Sequence, residues 1–126
     1  HSTEDLLCTE NHAPLATVYQ ENSDGSVVVT KYLMVLYLEL ARDDDWFHEQ
    51  SGSHIPTALT FHVQPDGSCT LTEYWEPGDG SLYAPDIRAK FPEDIADRAL
   101  DTQRYIGEQM KACYDQAIAY WGLEEP

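Results

Sequence analysis

The sequence predicts an α+β domain, in which an antiparallel β-sheet of about four strands is covered on one face by a long C-terminal helix. Three observations support this class. Segments in which apolar and polar residues alternate fill residues 15–75, and turns that contain glycine separate these segments. A stripe of apolar residues at helical spacing follows. The chain of 126 residues has the length of one domain, and its 42% hydrophobic and 24% charged residues are typical of globular proteins.

The N-terminal region combines a polar segment with the first expected strand. Residues 1–13 offer only Leu6 and Leu7 for burial, so we interpret them as an N-terminal arm or truncated linker, and residues 14–126 as a single α+β domain. Residues 15–19 have the composition of a strand. Residues 22–25 form a turn, because the Asp24-Gly25 pair tolerates positive φ.

Residues 27–40 contain the clearest strand pattern. Their even positions are apolar apart from Thr30, whereas their odd positions include Lys31 and Glu39. This pattern is typical of a central strand with one well-buried face. A helix over residues 32–41 is the alternative, but the valine content and the preceding turn favour a strand. We interpret residues 42–54 as a polar loop.

A β-hairpin is predicted for residues 57–75. In residues 57–63 apolar and polar side chains alternate, which places Leu59, Phe61 and Val63 on one face. Residues 64–67 form a turn with proline and glycine in favoured positions. Residues 69–75 form the returning strand.

Two helices are expected after residue 84. Residues 85–91 form a short helix, because Pro85-Asp86 suits a helix start, and Pro92 opens a longer one. Gly122 lies where that helix should end. We interpret Cys113 as core packing. Residues on one side of the long helix follow helical spacing: Ile95, Ala99, Thr102, Ile106, Met110, Cys113, Ala117 and Tyr120.

The charge of the chain restricts its partners. Seven Lys+Arg against 23 Asp+Glu give a formal net charge of −16. Nucleic-acid binding and binding to anionic membrane surfaces both need clustered cations, so neither is expected. No apolar run reaches the roughly 20 residues needed to cross a bilayer, and no signal peptide is visible. A solvated acidic surface is the simplest interpretation, and cations or a basic partner are the alternative.

Three short motifs do not fit the sites they resemble. His48-Glu49 begins like the HExxH of zinc peptidases, but Gly52 stands where the second histidine belongs. Residues 43–45, three aspartates, lack the spacing of a calcium loop. Residues 78–83 contain GxG without the surrounding βαβ unit of a nucleotide site. We therefore expect no metal, no cofactor and no identifiable catalytic residue.

The cysteines leave the disulfide state open. Cys8, Cys69 and Cys113 are odd in number and contain no CxxC pair, which excludes a disulfide-rich scaffold. One bridge with a free thiol and three separate thiols both agree with the sequence. The oligomeric state is open as well.

Residues 72–92 combine aromatic and charged side chains most densely. Such a mixture is typical of recognition surfaces. The alternative is structural: the aromatic rings fix the strand-to-helix crossing to the core, Asp86 caps a helix and Arg88 is paired. The candidate binding residues are Tyr74, Trp75 and Tyr83 as apolar contacts and Asp79, Asp86 and Arg88 as polar contacts.

The same stretch carries a family resemblance. Residues 71–83 and 86–92 resemble a C-terminal segment of antibiotic-sensor-type (BlaR/MecR-like) integral-membrane zinc metallopeptidase regulators of Gram-positive gut bacteria. The similarity extends from about residue 53 through residues 103–106 to the end of the helix. It implies a C-terminal domain outside the cytoplasm. The zinc motif is absent here, and no serine is followed three residues later by lysine, so neither peptidase activity nor covalent β-lactam sensing is implied.

From these observations we expect a non-enzymatic extracytoplasmic sensor or accessory domain of a bacterial membrane-anchored or secreted protein. It would bind a small molecule or a protein, and this fragment would not itself enter a membrane. Two alternatives stay open. One is a small hydrolase-like enzyme using carboxylates or histidine, and the other is an acidic inhibitor-type protein that binds a basic partner.

Overall fold

The computed structural model describes residues 5–124, and within this range the chain forms four strands and three α-helices. One antiparallel sheet has the order β1-β2-β3-β4, with β1 (Leu6–Glu21), β2 (Val27–Arg42), β3 (Phe47–Val63) and β4 (Cys69–Trp75). A 3₁₀ turn (Gly80–Leu82) then leads to α1 (Tyr83–Lys90), α2 (Glu93–Leu100) and α3 (Gln103–Trp121). The predicted α+β class with a four-stranded antiparallel sheet is confirmed.

The described chain divides into two compact units. Unit 1 contains residues 5–13, 35–54 and 103–124, and unit 2 contains residues 14–34 and 55–102. The strands β1, β2 and β3 therefore contribute residues to both units. Each unit has its own helices, with α3 in unit 1 and α1 and α2 in unit 2.

In unit 1 the C-terminal helix packs on one face of the sheet. The core contains Leu36, Leu38 and Leu40, which are even positions of β2, together with Cys113 and Ala117 from α3. Since successive strand residues point to opposite faces, the apolar even positions place this core on one side. The prediction that Cys113 is a core residue is confirmed, because its side chain is fully buried.

In unit 2 an aromatic cluster joins the helices to the sheet. The ring of Phe91, directly after α1, lies 4.7 Å from Tyr32 of β2 and 5.6 Å from Trp75 of β4, measured between ring centroids. Ile87 of α1 and Ile95 of α2 are buried in the same unit. One face of this part of the sheet is thus covered by α1 and α2.

The predicted N-terminal arm is wrong from Leu6 onward, because Leu6–Ala13 forms the first part of β1. Residues 1–4 lie outside the described part of the chain. This half of β1 combines polar residues with Leu7, which packs against the core of unit 1. The carbonyls of Glu10 and Asn11 accept hydrogen bonds from Gln116 and Gln109 of α3. These partners are distant in sequence, and they satisfy backbone groups of the strand that its composition does not indicate.

The predicted loop over residues 42–54 is also wrong, since β3 begins at Phe47. Phe47 is buried, but the next five residues, 48–52, are exposed and polar. The register with β4 covers only residues 58–63 of β3. The first half of β3 has no strand neighbour on that side within residues 5–124, and polar composition is usual for such an edge.

The long helix predicted to start at Pro92 is two helices. Asp101 has φ −89° and ψ 69°, which is not helical, and its N–H bonds to the carbonyl of Arg98 at 3.2 Å. The apolar spacing continues across this break, so periodicity alone could not show it. Tyr120, assigned to the apolar stripe, is 65% exposed. The stop at Gly122 is confirmed by its φ of 65°.

The predicted hairpin is confirmed, and its turn repeats the geometry of the first one. Asp24 accepts hydrogen bonds from the N–H and Oγ of Ser26 at 2.9 and 2.5 Å, and Asp66 does the same from Ser68 at 2.9 and 2.7 Å. Gly67 has a φ of 90° beside Asp66, a conformation that favours glycine. Both turns therefore carry an ordered carboxylate.

Candidate functional site

A β-bulge organises the surface of unit 2. Along the hairpin, Thr60 lies opposite Glu73 but the next residue, Phe61, lies opposite Leu71. Thr72 is the extra residue, and its hydroxyl donates to the carbonyl of Thr60 at 3.1 Å. Because one added residue reverses the alternation of a strand, the bulge decides which face Leu71 occupies.

The covered face is identified by contacts. Trp75 packs on Phe91, and its cross-strand partner Ala58 is fully buried. Thr60, two residues after Ala58, has its hydroxyl 3.5 Å from that of Thr30, an even position of β2. The even positions of β2 and β3 in unit 2 thus share the helix-covered face.

The opposite face is mainly apolar and carries two exposed large side chains, and we call it the open face. Leu59 pairs with Tyr74 and Phe61 pairs with Leu71, and the exposed fractions are 59% for Tyr74 and 50% for Leu71. In a regular ladder that included Thr72, Leu71 would turn to the covered side. The open face comprises Val29, Leu33, Leu59, Phe61, Leu71 and Tyr74.

The structure separates the two adjacent aromatic residues of the sequence-predicted site. Tyr74 lies on the open face, whereas Trp75 points to the other side and contacts Phe91. Neighbouring strand residues face opposite directions, so the two rings do not share one surface. A hydrogen bond to Glu76 is the main cause that raises the pKa of Tyr74 above its usual value.

The polar members of the predicted site mostly have partners within the chain. Asp86 accepts a hydrogen bond from the N–H of Gly78 at 2.8 Å, which closes the loop before α1. Arg88 pairs with Asp97 at 2.9 Å, and both side chains are more than half exposed. The ion pair of Arg88 matches the structural alternative. The interpretation of Asp86 as a helix cap is wrong, because its carboxylate bonds to the preceding loop and the start of α1 has no side-chain cap.

The remaining two members lie beside the 3₁₀ turn. Asp79 is exposed, and its carbonyl accepts from the N–H of Leu82 at 3.2 Å, while its side chain makes no cap hydrogen bond. Tyr83, the first residue of α1, is half-buried, and burial raises its pKa. Of the six predicted residues, only Tyr74 belongs to the open face.

The two hairpin turns of unit 2 carry ordered negative charge. In the two hairpin turns, hydrogen bonds from Ser26 and Ser68 lower the pKa of Asp24 and Asp66. Both carboxylates are therefore ionised at neutral pH. On β2, Lys31 is exposed between Val29 and Leu33 at an odd position, so a cation interrupts the apolar strip of that strand.

The prediction that Leu59, Phe61 and Val63 lie on one face of their strand is confirmed by their alternate partners on β4, and two of the three, Leu59 and Phe61, belong to the open face. Sequence reasoning did not indicate that this face is the open one. It missed Leu71, because strict alternation from Trp75 assigns Leu71 to the covered side. A two-residue polar interval, Thr72-Glu73, between two large apolar residues is the signal that could have indicated a bulge.

Among residues 5–124, no helix has the length and apolar content needed to span a membrane. In the same range, no three His, Cys, Asp or Glu side chains are grouped as metal ligands would be, and the three cysteines are free. Comparison with protein-family models, with curated proteins and with solved structures gave no match.

Proposed function

We propose that this chain is a non-enzymatic binding domain that holds a protein partner on its open face. The observation that carries the proposal is the bulge at Thr72, which keeps Leu71 and Tyr74 on the accessible side, opposite Phe61 and Leu59. Contiguous exposed apolar surface is uncommon on proteins without a partner and usually marks an interaction site.

The charge of the chain indicates the chemistry of that partner. The net charge of −16 repels a second copy of the chain, whereas it attracts a cationic segment. Glu76 supplies a carboxylate that accepts a hydrogen bond from Tyr74 of the open face, and Asp24 and Asp66 add negative charge in the two turns of the sheet. We infer a partner whose apolar side chains alternate with Lys or Arg. Lys31 lies within the open face, so the partner either leaves its ammonium group in contact with water or places an acidic side chain against it.

A peptide titration tests this proposal. The probe is a short peptide that alternates valine and lysine, and its control alternates serine and lysine with the same charge. The proposal predicts tighter binding of the valine peptide by about fivefold or more, equal to about 1 kcal/mol. Equal affinities for the two peptides would show charge attraction alone and would refute an apolar docking face.

We also propose that the domain acts outside the cytoplasm as a sensor or accessory part of a larger bacterial protein. This location rests on the resemblance of residues 71–92 to the membrane-peptidase regulators. The genomic reading frame upstream of the chain tests it. Several apolar segments with an HExxH motif are expected, whereas a cytoplasmic enzyme domain directly upstream would contradict the location.

A further inference from the structure

A buried glutamine in unit 1 fixes the orientation of a histidine. The side chain of Gln109, on α3, is 2% exposed. Its Nε2 donates to the carbonyl of Asn11 at 3.0 Å, and its Oε1 lies 2.7 Å from Nε2 of His54. Because an amide nitrogen only donates and an amide oxygen only accepts, the Asn11 carbonyl determines which way the amide points. His54 Nε2 is consequently the donor to Oε1.

This hydrogen bond leaves the second ring nitrogen as an acceptor. In the neutral imidazole, a proton on Nε2 means that Nδ1 carries the lone pair. His54 lines a shallow, open surface pocket of about 250 Å³, which Glu49 and Ser53 also line and which we call the His54 cavity. The other walls are apolar, and they are formed by Leu36, Leu38, Ile106 and Met110. The cavity thus combines hydrogen-bond acceptors with a hydrocarbon wall.

The charge of this His54 cavity is negative. Glu49 accepts a hydrogen bond from the hydroxyl of Tyr114, and that contact contributes to raising the pKa of Tyr114. Among the described residues, no Lys or Arg lines the His54 cavity. Met110 also lines an adjoining groove of about 460 Å³, at whose side Lys111 and Asp115 pair at 2.8 Å. The cation nearest in sequence to Met110 is therefore already neutralised by a carboxylate.

At the His54 cavity, Gly52 allows the backbones of β3 and β2 to lie close together. A Cβ on Gly52 would lie 2.7 Å from Cδ2 of Leu38 and 3.0 Å from the carbonyl oxygen of Tyr37. Glycine at this position lets β3 approach β2, and it sets the position of Ser53 and His54 that follow. A larger residue at this position would require the Leu38 side chain to move and would crowd the carbonyl oxygen of Tyr37.

We propose that the His54 cavity binds a small primary ammonium compound with a short apolar chain. The ammonium group donates to His54 Nδ1 and pairs with Glu49, while the chain lies against Ile106 and Met110. This site is independent of the open face, since all its residues belong to unit 1.

The test uses hexylammonium as the probe, with hexanoate and hexanol as controls of the same chain length. Met34 and Met110 are the two methionines, so ¹³C labelling of the methionine methyl groups gives one signal at the cavity and one internal reference in unit 2. We expect hexylammonium to shift the Met110 signal and leave Met34 unchanged. The proposal would be overturned if millimolar hexylammonium did not move the Met110 signal. It would also be overturned if hexanol and hexanoate moved that signal as far as hexylammonium does.

Matched variants separate the site from general attraction of cations. Glu49→Gln should weaken hexylammonium binding by about fivefold or more, or about 1 kcal/mol. Glu108→Gln removes the same charge from an exposed position of α3 and should leave affinity unchanged. His54→Phe should weaken binding while circular dichroism shows an intact fold. A loss in Glu108→Gln as large as that in Glu49→Gln would refute the site.

Discussion

Phe61 and Leu71 are direct cross-strand partners on the face of the hairpin opposite to α1 and α2, although two residues of β4 separate Leu71 from Tyr74. The extra residue Thr72 makes this pairing possible. A feature of a single residue thereby converts an alternating strand into one that contributes two large apolar side chains to the same surface.

Deletion of Thr72 should remove the bulge and keep Leu71 and Cys69 on their present face, because Thr72 is the residue of β4 without a partner in the register with β3. The Phe61–Leu71 and Val63–Cys69 pairs should persist in a regular ladder. Deletion of Thr70, the partner of His62, should instead turn Cys69 to the other face and lose the Val63–Cys69 pair, at a cost of about 0.2–1 kcal/mol per cross-strand pair. Urea unfolding of both variants should show the larger loss of stability for the Thr70 deletion. A larger loss for the Thr72 deletion would contradict its assignment as the extra residue.

Two glycines with open space around them should respond in opposite directions to alanine. Gly67 has φ +90°, Gly107 lies within α3 without a positive φ, and a Cβ added to either glycine would meet no atom within 4 Å. Gly67→Ala should destabilise the protein by about 1–2 kcal/mol, because a left-handed conformation disfavours a Cβ. Gly107→Ala should stabilise it by about 0.5–1 kcal/mol. Thermal unfolding of both variants gives the signs, and a neutral Gly67→Ala would contradict the turn geometry.

The two turn carboxylates should contribute to acid sensitivity. Hydrogen bonds from serine lower the pKa of Asp24 and Asp66 from the ordinary value of 3.8. Their stabilisation is therefore complete above pH 3.8 and is lost as the pH falls through the lower folded-state pKa, because the unfolded chain takes up protons first. The double variant Asp24→Asn, Asp66→Asn should lose less stability than the parent as the pH is lowered from about 5 to about 2, as measured by thermal midpoints. Asp79→Asn is the control, and a parent-like acid profile in the double variant would disprove this role.

Tyr114 should be a late-titrating tyrosine. Burial and the hydrogen bond to Glu49 raise its pKa from 10.0 to about 12. The stabilisation from this group is present below pH 10 and is lost as the pH rises through about 12, since the unfolded chain ionises first. Tyrosinate absorbance, with circular dichroism to follow the fold, should show a step near pH 12 that Tyr114→Phe removes. Persistence of that step in Tyr114→Phe would assign it to another residue.

The elements that could be predicted from the sequence are those whose apolar residues recur with the period of the strand or helix that they form. Residues 27–40 and 57–75 alternate clearly, and β2, β3 and β4 occupy them. The helix stop at Gly122 was predictable because a left-handed residue favours glycine. These features depend on local conformation and on one buried face, which a single sequence displays.

Other features depend on partners distant in sequence and were missed. Leu6–Ala13 is strand because neighbouring β2 and the side chains of Gln109 and Gln116 satisfy its backbone, which its composition does not show. Of the candidate site, Tyr74 reaches the open face but Trp75 does not. Aromatic density in a sequence indicates neither which face a ring occupies nor where a bulge reverses that face.

The most direct test of the binding account compares two leucines of similar exposure. Leu71 lies on the open face and is 50% exposed, whereas Leu82 lies in the 3₁₀ turn and is 59% exposed. Calorimetric titration with the alternating valine–lysine peptide should show at least about fivefold weaker binding for Leu71→Ser, or about 1 kcal/mol, and parent-like binding for Leu82→Ser. Equal affinities of Leu71→Ser and the parent would contradict the assignment of the open face as the partner site.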